Sequence, residues 1–278
     1  MQFRDDMKRT SLVAGLLAGS ALCVGAQAPQ LPQPQDTSQK TFFTRGDLYK
    51  AAAILAVSGV VSVFDERIAR WTQSESVQGS DSRRNTADNL TVVNETPLTL
   101  AAVASYGVGR LIHNETVADV GLHATESLVL TVGMAEAIRG PLGRLRPRAS
   151  PDDAFHFKLG TGFSNFAARS FPSIHAAVAW ATATTLVGEV KFRNPDAVKY
   201  VAPPLYAAAL VPGFTRMYLN QHWASDVVAG TFMGAMLGSK VVYYAHTHRR
   251  NFVDRMLLGM SALPDGHGNV RVGTALTF

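Results

Sequence analysis

Between Thr41 and Arg250 the sequence alternates apolar, alanine- and glycine-rich runs with short polar breaks. Nowhere in that span does it show the every-second-residue alternation of a half-buried strand. The helix-forming stretches are Leu48 to Trp71, Leu98 to Ile112, Val117 to Ile138, His175 to Val190, Val201 to Tyr218 and Trp223 to Tyr244. About six helices without strands between them predict an all-α helical bundle. Ser74 to Asn89, dense in polar residues, reads as a loop. The apolar runs are mostly shorter than about 18 residues, and several carry internal charges. Mean hydropathy is only +0.07. A soluble or surface-associated bundle is therefore expected, with Trp223 to Tyr244 as the stretch that could span a bilayer.

The flanks differ from the bundle. Residues 1–26 read as a signal peptide: a basic start at Arg4, Lys8 and Arg9, the apolar core Ser11 to Gly25, and small residues at Val24 to Ala26. The expected location is across the inner membrane, periplasmic or membrane-associated. The single cysteine, Cys23, falls inside that segment, which leaves no thiol chemistry for the mature chain. Residues 27–40 are a Pro/Gln-rich flexible lead, residues 41–250 the helical domain, and residues 251–278 a tail. The tail reads as two short strands about Pro264-Asp265-Gly266, a β-hairpin. The net charge of +5 and pI near 9.5 favour anionic partners. No basic run interleaved with aromatics is present, so nucleic acid is not an expected partner.

Three stretches carry ionisable residues inside apolar surroundings, where charges are costly unless paired or bound. In Thr215 to Asp226, His222 and Asp226 are four apart. On a helix they share a face, and the carboxylate can accept the imidazole Nδ1 hydrogen. Arg216 would bring a permanent cation. A structural His–Asp pair with a surface arginine fits equally well. In Arg169 to Trp180, Ser173 is placed to cap a helix whose first amides, with Ile174 and His175, make an anion site. An ordinary capped helix is the plainer account of that stretch alone. In Arg139 to Ser150, four arginines fall within ten residues, and forked guanidinium donors match phosphate oxygens. Arg144 and Arg148 suit a basic helix end facing water or anionic lipid.

Taken in order, the stretches resemble the signature of the type 2 phosphatidic acid phosphatase (PAP2) superfamily, which includes acid phosphatases and vanadium haloperoxidases. The pattern is a basic residue, six residues and Arg-Pro (Arg139, Arg146-Pro147); Pro-Ser-Gly-His (Pro172 to His175); and Ser-Arg, five residues, His, three residues, Asp (Thr215-Arg216, His222, Asp226). Chance occurrence of all three in order is on the order of one in a million. Arg139 stands for the usual lysine, Thr215 for serine and Ile174 for glycine. The last change matters most, because a β-branched residue resists positive φ.

The resemblance implies a metal-independent phosphatase acting on phosphomonoesters or lipid (pyro)phosphates through a phosphohistidine. His222 would be the nucleophile, Asp226 its partner, and His175 the acid and then the base. Arg139, Arg146, Arg216, Ser173 and the Ile174 amide would bind phosphate. It implies no cofactor, although vanadate can bind as a phosphate analogue. Partners would be a phosphorylated small molecule or a lipid phosphate, with membrane-surface association. Rival readings are a vanadium-dependent haloperoxidase-like enzyme and a non-catalytic phosphate or lipid-headgroup binder. A metal site built on His246 and His248 lacks a third ligand in the sequence. The Phe- and Gly-rich stretch Phe155 to Phe166 reads as a connector, or as a lid for an acyl chain.

Overall fold

The computed structural model describes residues 41–248, 253, 257, 260–264 and 270–274. Signal peptide and Pro/Gln-rich lead both lie outside the described residues. The helices, in chain order, are α1 (Arg45–Ser62), α2 (Asp65–Thr72), α3 (Glu75–Gln78), α4 (Asp81–Leu90), α5 (Glu95–Leu111), α6 (Glu115–Leu142), α7 (Ile174–Arg193), α8 (Val198–Tyr218) and α9 (Ala224–Thr247). Strands β1 (Met260–Pro264) and β2 (Val270–Thr274) pair antiparallel, with Ala262 opposite Val272.

Two features depart from the sequence expectation. The single helix expected over Leu48 to Trp71 is broken at Val63–Phe64, and α1 and α2 meet at 59°. The bend turns Asp65 into the first residue of α2 and sends its side chain into the interior, where it is fully buried. An acidic pair, Asp65-Glu66, suits such a helix start. The expected loop Ser74 to Asn89 folds instead as α3 and α4. Ser80 caps α4 by accepting from the Arg83 amide, and Ala87 is buried. Gln78 ties α3 down by donating to the carbonyls of Thr72 and Tyr218, both at 2.8 Å. Caps and side-chain anchors make helices here without an apolar stripe.

The core sits where α7 is held between α6 and α9, around Leu128, Ala177, Val178 and Leu237. α7 and α9 run parallel and approach closely. A Cβ on Gly230, Gly234 or Gly238 would lie 2.3, 2.0 or 2.5 Å from the carbonyl oxygens of Ser173, Ala177 and Ala181. Nothing larger than hydrogen fits at that stripe. The contact brings the starts of both helices together, where the Ser173 amide donates to the Asp226 carbonyl at 2.9 Å. A buried ion pair, Lys240 Nζ to Asp47 Oδ2 at 2.7 Å, ties α1 to α9. Helix α9 is long and apolar enough to cross a membrane, and 44% of its most apolar window is buried inside the bundle. The bent α1–α2 pair passes the same test when taken together.

Candidate active site

A cavity of about 300 Å³ opens where the end of α6, the start of α7, the end of α8 and the turn before α9 converge. Arg139, Arg146, Arg169 and Arg216 line it, with His175, His222, Ile174, Gln221 and Phe166. The two imidazoles therefore share one cavity with four guanidinium groups, although the segments that carry them are far apart in sequence. Arg139 comes from the last turn of α6 and Arg216 from the last turn of α8.

The cations are held in place by a backbone carbonyl, a side-chain amide and one carboxylate, Glu136. Arg139 donates through Nε and Nη2 to the Arg169 carbonyl at 3.0 and 2.8 Å. Its Nη1 reaches Glu136 at 3.1 Å, and Glu136 also pairs with Arg169. Arg146 donates to Gln221 Oε1 at 2.7 Å and lies over the Phe166 ring at 4.1 Å. Burial, and then the charges of Arg139, Arg148 and Arg216, pull Arg146 down to about 9. Cations so crowded that they oppose one another's protonation favour an anion between them.

The histidines respond to the same field. Burial first, then the partly opposing influences of Asp226 and the arginines, brings His222 down to about 4. His175 is held far below its ordinary value by burial, then by Arg216, His222, Arg139 and Arg146. Arg216 donates to His175 Nε2, which makes that nitrogen an acceptor. Both imidazoles are thus neutral near pH 7. Ser173 Oγ, His175 Nδ1, His222 Nδ1 and Arg146 Nε are buried without hydrogen-bond partners. Buried polar atoms ordinarily have partners, and an oxyanion would supply oxygens to those among them that can donate.

A family model described as the PAP2 superfamily matches residues 121–250. Among curated proteins, a Lipid A 1-phosphatase of Porphyromonas gingivalis (strain ATCC 33277) is 33% identical over 111 residues, 40% of this chain. The chain spans about a fifth of that relative's length, 20%. The crystal structure of a transmembrane PAP2 type phosphatidylglycerolphosphate phosphatase from Bacillus subtilis matches with a TM-score of 0.50 at 18% identity. That match covers 70% of this chain and 96% of the other, and it bears on the fold.

Within the matched segment the predicted site residues come together, with some changes of placement. His222 lies in the turn before α9, with Trp223 at the N-cap, rather than on the same helix as Asp226. Its Nδ1 is 3.6 Å from Asp226 Oδ2, beyond hydrogen-bond length. That oxygen instead accepts from Ser170 Oγ at 2.5 Å and the Trp223 amide at 2.8 Å. Ser173 occupies the N-cap of α7 but makes no side-chain cap. Ile174 is the first residue of α7, and its buried side chain joins the core beside Val178 and Met233. Positive φ among described non-glycine residues occurs at His113 and Asn220, not here. Ile174 therefore carries no backbone strain, and its amide still points out of the helix start.

Arg144 overturns its expectation. It is 2% exposed, not solvent-facing. Nη1 donates to Asp226 Oδ1 at 2.6 Å and Nη2 to Asp65 Oδ2 at 2.8 Å. Asp65 also accepts from the Ser225 amide at 2.9 Å. Asp226 is thus one end of a buried Asp–Arg–Asp chain. Arg148 is exposed, as expected. Sequence reasoning missed Gln221, which lies within the third motif beside His222, and Asp65, Glu95 and Glu136, which fall outside all three; Glu95 and Glu136 also line the cavity. Beside the cavity, Trp180, Leu210, Phe214, Met217, Val228 and Phe232 line an apolar groove of about 300 Å³. Phe155, Phe157, Leu159, Phe163 and Phe166 are all exposed on the connection between α6 and α7.

Proposed function

We propose that the chain is a phosphatase of lipid phosphates that works through a phosphohistidine on His222. The observation that carries this reading is the convergence of two neutral imidazoles and four guanidinium groups on one cavity. With Nδ1 turned toward Asp226, His222 presents Nε2 to the phosphorus. As the P–N bond forms, the bond to the leaving oxygen breaks, and His175 gives that oxygen a proton. Water then attacks phosphorus and passes a proton to His175, the P–N bond breaks, and free phosphate leaves. A bound phosphoryl group draws Arg216 away from His175 and adds negative charge beside it. Both effects raise the basicity of His175, so the proton is in place only when substrate is present.

Arg139, Arg146, Arg169 and Arg216 stabilise the charge that builds on the equatorial oxygens. In well-studied enzymes a single preorganised donor of this type contributes about 2.7–4 kcal/mol. The guanidinium groups take the part that a magnesium ion takes in other phosphoryl-transfer enzymes, so activity should persist in EDTA. A lipid substrate is favoured over a soluble phosphoester by the apolar groove and by the exposed phenylalanines at the cavity's side. Exposed apolar surface gathered beside a polar cavity suits a membrane or acyl-chain contact. The relatives' descriptions, a lipid A phosphatase and a phosphatidylglycerolphosphate phosphatase, agree with that direction.

The test measures phosphate release from a lipid phosphomonoester in mixed micelles and from p-nitrophenyl phosphate, both in EDTA. The lipid should be turned over with the higher kcat/KM, and His222→Ala should abolish both activities. Turnover retained by that variant would remove the nucleophile. Absence of turnover with wild-type protein would leave a headgroup binder.

A further inference from the structure

At the far end of α7, about 20 Å along the helix from His175 at 1.5 Å rise per residue, a second cluster of imidazole and carboxylate is built into the bundle. Glu189 of α7 is 1% exposed. Its Oε1 is 2.6 Å from His123 Nδ1 of α6. Both of its oxygens, at 3.2 and 3.1 Å, face His246 Nε2 in the last turn of α9. The three donor atoms, one from each residue, lie within 4.8 Å of one another. His246 comes from the His246/His248 pair of the sequence, whose missing ligands are supplied here by two other helices. His248 stands apart, stacked on Tyr244 at 4.2 Å.

We propose that His123, Glu189 and His246 bind one divalent transition-metal ion of the zinc class. Two imidazoles and a carboxylate are a common donor set for zinc, with bonds of about 2.0–2.2 Å and tetrahedral ligand–ligand edges of about 3.3 Å. The His246–Glu189 separations are already near that edge. His123 needs to retreat from Glu189 by about 0.7 Å to reach it. The charge balance also suits a cation. Arg193 pairs with Glu189 and with Asp119, the latter at 2.9 Å. Two carboxylates thus face one guanidinium. An ion that takes Glu189 leaves Arg193 held by Asp119. Glu189 and His246 lie in the last turns of α7 and α9, where the helix dipole favours positive charge. The fourth position is open to water or Asp119. The site joins three helices of the core and is separate from the phosphate cavity, so it would be structural.

The test uses the full chain stripped of metal and titrated with zinc chloride by calorimetry. One equivalent should bind with micromolar or tighter Kd and raise the melting temperature. His246→Ala should weaken binding at least tenfold, while His248→Ala should leave it within twofold. Cobalt(II) absorption on the wild-type chain gives a reading that needs no variant. Intense visible bands of a four- or five-coordinate ion are expected. A six-coordinate spectrum like that of aqueous cobalt, zinc binding weaker than millimolar, or equal affinity in the His246 and His248 variants would each overturn the assignment. None of these readouts depends on phosphatase turnover.

Discussion

The two ends of the α7–α9 pair use the same residue types to opposite effect. At the start of the pair, His175 and His222 share an open cavity with four arginines and two glutamates, Glu95 and Glu136, so the arginines are in excess. At its finish, His123, His246 and Glu189 meet one arginine. The parallel packing of α7 and α9 puts both positive helix starts at the first end and both negative finishes at the second. What decides the preferred partner, anion or cation, is the balance of fixed charge and helix direction around the imidazoles, not the imidazoles themselves.

The sharpest way to test the contrast is to remove an imidazole from the open end. His222→Ala should lower kcat/KM for a lipid phosphate by about 10⁴-fold or more, since groups that act as a unit are lost together. Circular dichroism should remain that of the wild-type bundle. Next in size is the buried support behind Asp226. Arg144→Met leaves both Asp65 and Asp226 without their cation. Breaking a buried pair from one side costs about 3–5 kcal/mol, to be read from urea unfolding. Asp65→Asn should cost less, because the amide oxygen can still accept from Arg144.

The seam that unites the two ends comes third. Gly234→Ala places a methyl 2.0 Å from the Ala177 carbonyl oxygen. Overpacking of that kind costs about 1–3 kcal/mol. Gly133 on α6 has open space at its Cβ, so Gly133→Ala should be neutral or slightly stabilising by the same measurement.

A pH series gives a smaller effect with a definite sign. His175 and His222 have folded-state values below the ordinary 6.5. Below about pH 6.5 the unfolded chain therefore binds more protons than the folded one, and stability falls as pH drops from there toward 4. Vanadate should blunt the fall by lending the site negative charge. A His175→Asn, His222→Asn double variant should flatten it. Last, Arg148→Ala at the exposed position should shift stability by no more than about 0.5 kcal/mol. Its contrast with Arg144, four residues earlier, separates surface from interior in one short segment.

How much of this was legible in the sequence follows from how local each signal is. The spacings in Arg139–Pro147, Pro172–His175 and Thr215–Asp226 are local, and they located the cavity. The burial of Arg144 was not legible, because its partners Asp65 and Asp226 come from distant turns of the chain and an arginine near a helix end looks the same facing in or out. The helices over Glu75–Leu90 were hidden because caps and anchors to Tyr218, not apolar periodicity, hold them. A usable signal was overlooked at Gly230, Gly234 and Gly238: small residues four apart on one face announce close helix packing. The His123–Glu189–His246 cluster was legible only in its final member.

The placement of Asp65 reaches beyond the site it supports. The segment matched by the family model begins at residue 121, yet a carboxylate far upstream completes the setting of Asp226. Excising 121–250 as a minimal fragment would strand Arg144 against a single acid and open that pocket of charge to solvent. The first helices are part of the framework that holds Asp226 in place, and any truncation or fusion designed around this protein has to keep them.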